Sequence, residues 1–289
     1  MSFITLTVGL LGEHLENSLS PLIHRSFICY YSLNYYYLPF QIKTENLEKA
    51  ISGAKALGIH GLNVTIPFKE KAMGFMDAID PAAEKIGAIN TIVRKNEKLY
   101  GYNTDWNGFK EPLKKKMKVK LNDKRAVVLG AGGAARSVIF ALAEEGCPVI
   151  SIFNRNIDRA LEVKRSFQNI STQCEIRTFP FQRKNLQEEI NNADLLINTT
   201  PLGSWYYPEQ NPLPEEIKLS SESIVYDLIY YPDKTPLLRW AERNGNRILN
   251  GKEMLVYQAA ESFYLWTGLY PDQEIINKIL SQIRKKENL

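Results

Sequence analysis

Cysteine is scarce in this chain. Three thiols, Cys29, Cys147 and Cys174, stand far apart among 289 residues with no Cys-x-x-Cys pair. An odd count so spaced argues against a disulfide framework and a thiolate metal site, and fits a reducing cytoplasm. Histidine is equally rare: His14, His24 and His60 form no His-Glu-x-x-His spacing, so no catalytic metal is expected. No apolar run approaches the ~18 residues of a membrane span, and none is expected. Basic residues exceed acidic ones by only 36 to 32, a net charge of +4. That excess is too small to call for a nucleic-acid or membrane partner. The opening segment MSFITLTVGLLG has no Lys or Arg before its apolar run and contains Thr5 and Thr7. It reads as a buried strand rather than a signal peptide.

What is present is ordinary for a folded protein, with 44% hydrophobic and 24% charged residues. The length suits one large or two modest domains. From residue 3 to about 105, strand-like runs (FITLTVGLL, YYYLPF, GLNVTI) alternate with helical ones (PLIHRSFICYYSL, NLEKAISGAKAL), the pattern of βαβ units and a mainly parallel sheet. TIVRK, a turn at Asn96 and Glu97, and KLYGYN read as a hairpin, which folds Asn90 back beside Asn103 and Asp105. A lysine-dense stretch follows, from Lys110 to Lys124, interrupted by Pro112. It has no interleaved aromatics, so it reads as a solvated helix and linker rather than a nucleic-acid platform. A second α/β domain follows, with strands at VISIFN, EIRTFP, DLLINTT and SIVYDLIY. From Asn250 the chain is helical, with Met254, Leu255, Ala259, Phe263 and Trp266 on one apolar face.

RAVVLG, GAGGAA and RSVIFALAEEG form the strand, turn and helix of a dinucleotide-binding fold. Gly130 permits the tight turn, Gly132 lets backbone approach a pyrophosphate, and Ala135 is small enough for helix to pack on strand. About 20 residues on, an NAD site usually presents an acid to the ribose. Here VISIF ends instead in Asn154, Arg155 and Asn156, with Arg159 one turn later. Arg155 suits a 2′-phosphate, so NADP is favoured over NAD.

In Asn17-Ser18-Leu19-Ser20-Pro21, Ser20 is expected to cap the helix that Pro21 opens, leaving hydroxyls and free N–H groups that attract carboxylates. Alternation through Gly61–Lys69 puts Asn63 and Thr65 on one side of a strand and Val64 and Ile66 on the other. Lys69 follows a proline-fixed turn.

NSLSPLIH, GLNVTIPFKEK, IGAINTIV, GYNTDWNGF, VVLGAGGAARS, FNRN, INTTPLG, YDLIYYP-x-x-TPLL and NGKEMLVYQAAESFYLWTG together resemble, in order, the shikimate dehydrogenase family. The resemblance covers nearly the whole chain. It implies an α/β protein of two domains: a substrate-binding catalytic domain over 1–106, completed by C-terminal helices in 251–289, and a Rossmann-type doubly wound NADP-binding domain over 107–250. The implied reaction is NADPH-dependent reduction of 3-dehydroshikimate to shikimate, on the cytoplasmic route to chorismate and the aromatic amino acids.

Carried over by motif, Lys69 and Asp105 would be the catalytic pair. Ser18, Ser20, Thr65, Asn90, Tyr230 and Gln258 would hold the substrate carboxylate and hydroxyls. The cofactor side would comprise Gly130, Ala131, Gly132, Gly133 and Ala134, then Asn154, Arg155, Asn156 and Arg159, and, near the nicotinamide, the backbone at Leu228 and Gly251. An ammonium on Lys69 would stabilise the alkoxide left by hydride addition and protonate it, with Asp105 orienting the lysine. The chain departs from the family at Asn17, commonly His, at Asn156, commonly Thr, and at Lys252-Glu253, where small or apolar residues are frequent. Two other readings stand beside this one: a quinate/shikimate dehydrogenase accepting NAD, and a non-catalytic NADP-responsive regulator. The sequence is compatible with a monomer or with a homodimer through the first domain's sheet or YSLNYYYL.

Overall fold

A computed structural model describes residues 5–167, 174–214 and 216–286. The chain divides into two compact units: one runs to Gly108 and resumes over Leu255–Arg284, the other covers Phe109–Met254.

The first unit is built from β1 (Leu6–Gly12), α1 (Ser20–Tyr30), β2 (Tyr35–Gln41), α2 (Leu47–Ala56), β3 (Gly61–Val64), β4 (Ala78–Ile79), α3 (Pro81–Ile86), β5 (Thr91–Lys95), β6 (Lys98–Tyr102) and the first turn of α4 (Asp105–Lys115). Its six strands lie in the order β2-β1-β3-β5-β6-β4. The sheet is mainly parallel, as expected: β1 pairs in parallel with β2 and β3, and β4 with β6, while β5 alone runs antiparallel, to both β3 and β6. The β5–β6 hairpin imposes this reversal. Asn96 and Glu97 both adopt positive φ, 49° and 63°, the conformation of a two-residue turn whose twist matches its strands.

The second unit contains the rest of α4, then β7 (Arg125–Leu129), α5 (Gly133–Glu144), β8 (Val149–Asn154), α6 (Ile157–Phe167), β9 (Glu175–Pro180), α7 (Arg183–Asn191), β10 (Leu195–Asn198), β11 (Ile224–Asp227), α8 (Pro236–Arg243) and β12 (Arg247–Leu249). All its strands are parallel, ordered β12-β11-β10-β7-β8-β9. Counted within the sheet, this is the doubly wound Rossmann order, whose strand sequence reverses between β7 and β10. β7, β8 and β10 are nearly continuous apolar runs, as strands covered on both faces must be.

The helical tail is two helices, α9 (Lys252–Thr267) and α10 (Gln273–Lys286), separated after Gly268, whose φ is +75°. The expected single apolar face understates α9, which is buried on most of its circumference. Its Phe263 and Trp266 join Ile23 and Phe27 of α1 and Ile279 of α10 on one face of the first sheet. On the other face Leu47 and Ile51 pack with Leu62 and Phe68. In the second unit Val127, Leu129, Phe153, Leu186 and Leu237 share one core.

Candidate active site

Within the first unit Asp105, 5% exposed, opens α4, and Asn103 accepts a hydrogen bond from its backbone N–H at 3.0 Å. Lys69 Nζ lies 2.5 Å from Asp105 Oδ2. The other carboxylate oxygen accepts from Asn90 Nδ2 at 2.8 Å. Asn90 is brought there by the hairpin, since its N–H bonds to the Tyr102 carbonyl at 2.9 Å and its Oδ1 accepts from the Thr104 N–H at 2.8 Å. Gln258 Oε1 of α9 lies 3.2 Å from the same Asn90 amide. Lys69, Asp105, Asn90 and Gln258, which span most of the chain's length, thus form one cluster.

Ser262 extends this cluster inward. Its hydroxyl is 2.7 Å from Thr91 Oγ1, 3.2 Å from Thr104 Oγ1, and accepts from Asn63 Nδ2 at 3.0 Å. Asn63 Oδ1 in turn accepts from the Tyr37 hydroxyl at 2.9 Å, beside Ser20. The network therefore runs from the Lys69 ammonium to the Tyr37 hydroxyl. Behind it His24 is completely buried and stacked on Tyr37 at 4.3 Å, with neither ring nitrogen hydrogen-bonded to a described residue. Burial drives its pKa down to about 3.

Two expectations are corrected here. Ser20 does not cap α1: it is the first helical residue, and Ser18 Oγ accepts its N–H at 3.3 Å. Asn63 and Thr65 do not share one strand face, because β3 ends at Val64. Asn63 is buried in the core network, Thr65 bonds through its N–H to Leu11, and Ile66 is exposed rather than packed. Sequence reasoning missed Tyr37, Thr91, Thr104 and Ser262. Thr91, Thr104 and Ser262 stood inside quoted motifs without being singled out, whereas Tyr37 looked like an ordinary strand residue.

In the second unit Gly130 adopts φ +111°, and a Cβ there would meet Thr199 Oγ1 at 2.4 Å, so only glycine suits this turn. A Cβ on Gly132 would meet nothing within 4 Å, so the loop faces open space there. No side chain caps α5 and no acid lies in its first turn, which leaves its N–H groups and positive dipole end available to an anion. Asn154 donates to the Asn156 carbonyl at 2.8 Å, and Asn156 Oδ1 accepts the Asp158 N–H at 2.9 Å at the start of α6. Asn156 thus serves the helix start, while Arg155 and Arg159 are exposed. These groups fit a phosphorylated dinucleotide. Leu228 and Gly251 meet as well: the ideal Cβ position on Gly251 is 2.0 Å from the Leu228 carbonyl oxygen, and Gly251 N–H donates to Ile229 at 2.9 Å. Tyr230 follows on the same loop, its hydroxyl pushed up to about 12 by burial. Lys252 and Glu253 are buried but paired, with Asp233 at 2.7 Å and Lys116 at 2.5 Å respectively. No described helix is long and apolar enough to cross a membrane, and no described group of three His, Cys, Asp or Glu could hold a metal ion.

Residues 10–92 match the shikimate dehydrogenase substrate binding domain, 112–204 the shikimate / quinate 5-dehydrogenase model, and 251–280 the shikimate 5′-dehydrogenase C-terminal domain. The shikimate dehydrogenase (NADP(+)) of Caldanaerobacter subterraneus is 42% identical over 94% of this chain and 95% of its own. This chain belongs to the shikimate dehydrogenase family. Family members of known structure share its fold. The Thermus thermophilus shikimate 5-dehydrogenase, solved with NADP(H) and shikimate, matches with a TM-score of 0.84 and 34% identity over 96% of this chain and 100% of that one. The Listeria monocytogenes family member, solved with shikimate and NAD, gives 0.87 and 32% over 97% and 98%.

Proposed function

We propose that this chain is an NADP-dependent shikimate dehydrogenase that reversibly reduces 3-dehydroshikimate to shikimate, as a monomer or homodimer in the cytoplasm, on the route to chorismate and the aromatic amino acids. The observation that carries the reading is the Lys69–Asp105 pair at 2.5 Å, joined by Asn90 and Gln258 in the unit that contains the substrate-binding match.

When bound, NADPH supplies a hydride to the ketone carbon. The residues suited to hold it are the glycine turn Gly130–Ala134, Asn154 to Arg159 and the backbone at Leu228 and Gly251. Lys69 provides the positive charge and the proton that the carbonyl oxygen needs as it becomes a hydroxyl. Asp105 engages one of the three ammonium hydrogens, which fixes the direction of the others. Asn90 holds Asp105 from its other oxygen. Ser18, Ser20, Thr65, Tyr230 and Gln258 supply hydroxyls and an amide for the substrate carboxylate and ring hydroxyls.

Purified protein assayed with shikimate and with quinate, each against NADP+ and NAD+, tests this reading through absorbance of the reduced nicotinamide. Dominant turnover of shikimate with NADP+ is expected. Comparable quinate turnover with NAD+, or no turnover from folded, NADP-binding protein, would overturn it.

A further inference from the structure

The C-terminal ends of β10 and β11 carry two fully buried polar side chains next to one another. The strands register Asn198 opposite Asp227, both 0% exposed, and Asn198 Nδ2 donates to Asp227 Oδ1 at 3.0 Å. A carboxyl group withdrawn from water is costly unless its oxygens are satisfied. Asp227 meets that requirement with neutral donors: Asn198, the Ile229 N–H at 3.1 Å, and the Thr235 hydroxyl at 2.7 Å.

The remaining bonds of this pair reach the two loops that leave the strands. Asn198 Oδ1 accepts from the Thr200 N–H at 3.0 Å and the Thr200 hydroxyl at 2.7 Å, and its Nδ2 donates to the Leu202 carbonyl at 3.2 Å. The Asn198 carbonyl accepts the Leu228 N–H at 3.0 Å. Thr235, held by Asp227, also accepts the Leu238 N–H at 3.2 Å and so caps α8. One pair thereby fixes the loop through Thr199, which backs the Gly130 turn, and the loop from Leu228 to Thr235, which carries Tyr230 and abuts Gly251.

We propose that Asn198 and Asp227 are positioning residues for the nicotinamide half of NADP(H), holding both loops so that the Leu228 backbone and Tyr230 stand ready for cofactor and substrate. This rests on the function proposed above. Neither side chain has surface with which to touch a ligand, so both act through the loops they bind.

The test compares NADP+ with 2′,5′-ADP, which has the adenosine and phosphate groups but no nicotinamide, by calorimetric titration of the full-length protein. In Asp227→Asn the Kd for NADP+ should rise about ten-fold, the loss of one buried hydrogen bond. The Kd for 2′,5′-ADP, which relies on the glycine turn and Arg155, should stay within about two-fold. Equal weakening of both ligands, or unchanged NADP+ binding, in a variant with the wild-type circular dichroism spectrum would overturn the inference. Should Asp227→Asn fail to fold, Thr235→Val removes the donor to Oδ2 together with the cap on α8, leaves Asp227 in place, and the same two outcomes decide. Wild-type protein that binds neither ligand would instead overturn the proposed function, and this inference with it.

Discussion

Lys69 and Asp105 are 36 residues apart in sequence and 2.5 Å apart at Nζ and Oδ2. Replacing either removes the other's ion-pair partner, and Asp105 alone would keep a second side-chain bond, from Asn90. The pair is also shielded, with side-chain exposures of 16% and 6%, so water competes little for its hydrogen bond.

Lys69→Ala removes the proposed proton donor. Turnover of shikimate with NADP+ should fall by about 10²- to 10⁴-fold, the usual worth of a general acid, with KM changed by less than about three-fold. Steady-state kinetics on both substrates checks this, and turnover near the wild-type value would remove Lys69 from the chemistry.

Arg155→Ala deletes the exposed cation after β8. A charge-assisted hydrogen bond to the 2′-phosphate is worth about 1.5–3 kcal/mol, so KM for NADP+ should rise by roughly 10- to 100-fold. NAD+ has no such phosphate and should be used no worse than before. A parallel loss with both cofactors would show that Arg155 supports the fold of the α6 start rather than the phosphate.

Ser262→Ala removes the hydroxyl on which Asn63, Thr91 and Thr104 converge. With its partners left buried, urea unfolding should register a loss of about 1–3 kcal/mol. Turnover should fall too, because Thr104 loses its Ser262 contact, and Thr104 in turn accepts from the Asn90 amide that holds Asp105. A variant as stable as wild type would mean the other members close the network by themselves.

His24 makes stability sensitive to acid. In the unfolded chain it takes up a proton near 6.5, whereas burial keeps it neutral in the folded chain down to about 3. Below 6.5 the unfolded state therefore binds the extra proton, and stability falls with pH through that window by up to about 1.4 kcal/mol per unit. His24→Phe preserves the aromatic stack and removes the proton site. Unfolding free energies of the two proteins measured between neutral pH and pH 5 should diverge, with the variant losing less. Parallel curves would show that His24 is protonated in the fold.

The parts of the candidate sites in the two units that local patterns carry were legible in the sequence. Glycines before a helix, an apolar strand and an arginine where an acid often stands located the Gly130 turn and Arg155, and a two-residue turn at Asn96 brought Asn90 to Asp105. Residues joined only by tertiary packing were not legible. Nothing near Ser262 or Tyr37 in sequence says that each meets Asn63, and nothing near Asp227 says it will be sealed against Asn198. The misread positions have local causes as well. Ser18 takes the hydrogen bond assigned to Ser20 because the helix begins one residue earlier, and Ile66 is exposed because β3 stops before it.

The face of the first sheet that holds Ile23 and Phe27 is covered by Phe263, Trp266 and Ile279. During synthesis that apolar surface stays bare until residues beyond 255 leave the ribosome, whereas every strand of the Rossmann sheet has emerged by Leu249. The later-made half of the molecule is therefore the first able to finish folding, and the earlier-made half must wait with its core open. A chain stalled or cut ahead of α9 would carry a complete second sheet beside an exposed hydrophobic one, a species that chaperones and proteases recognise.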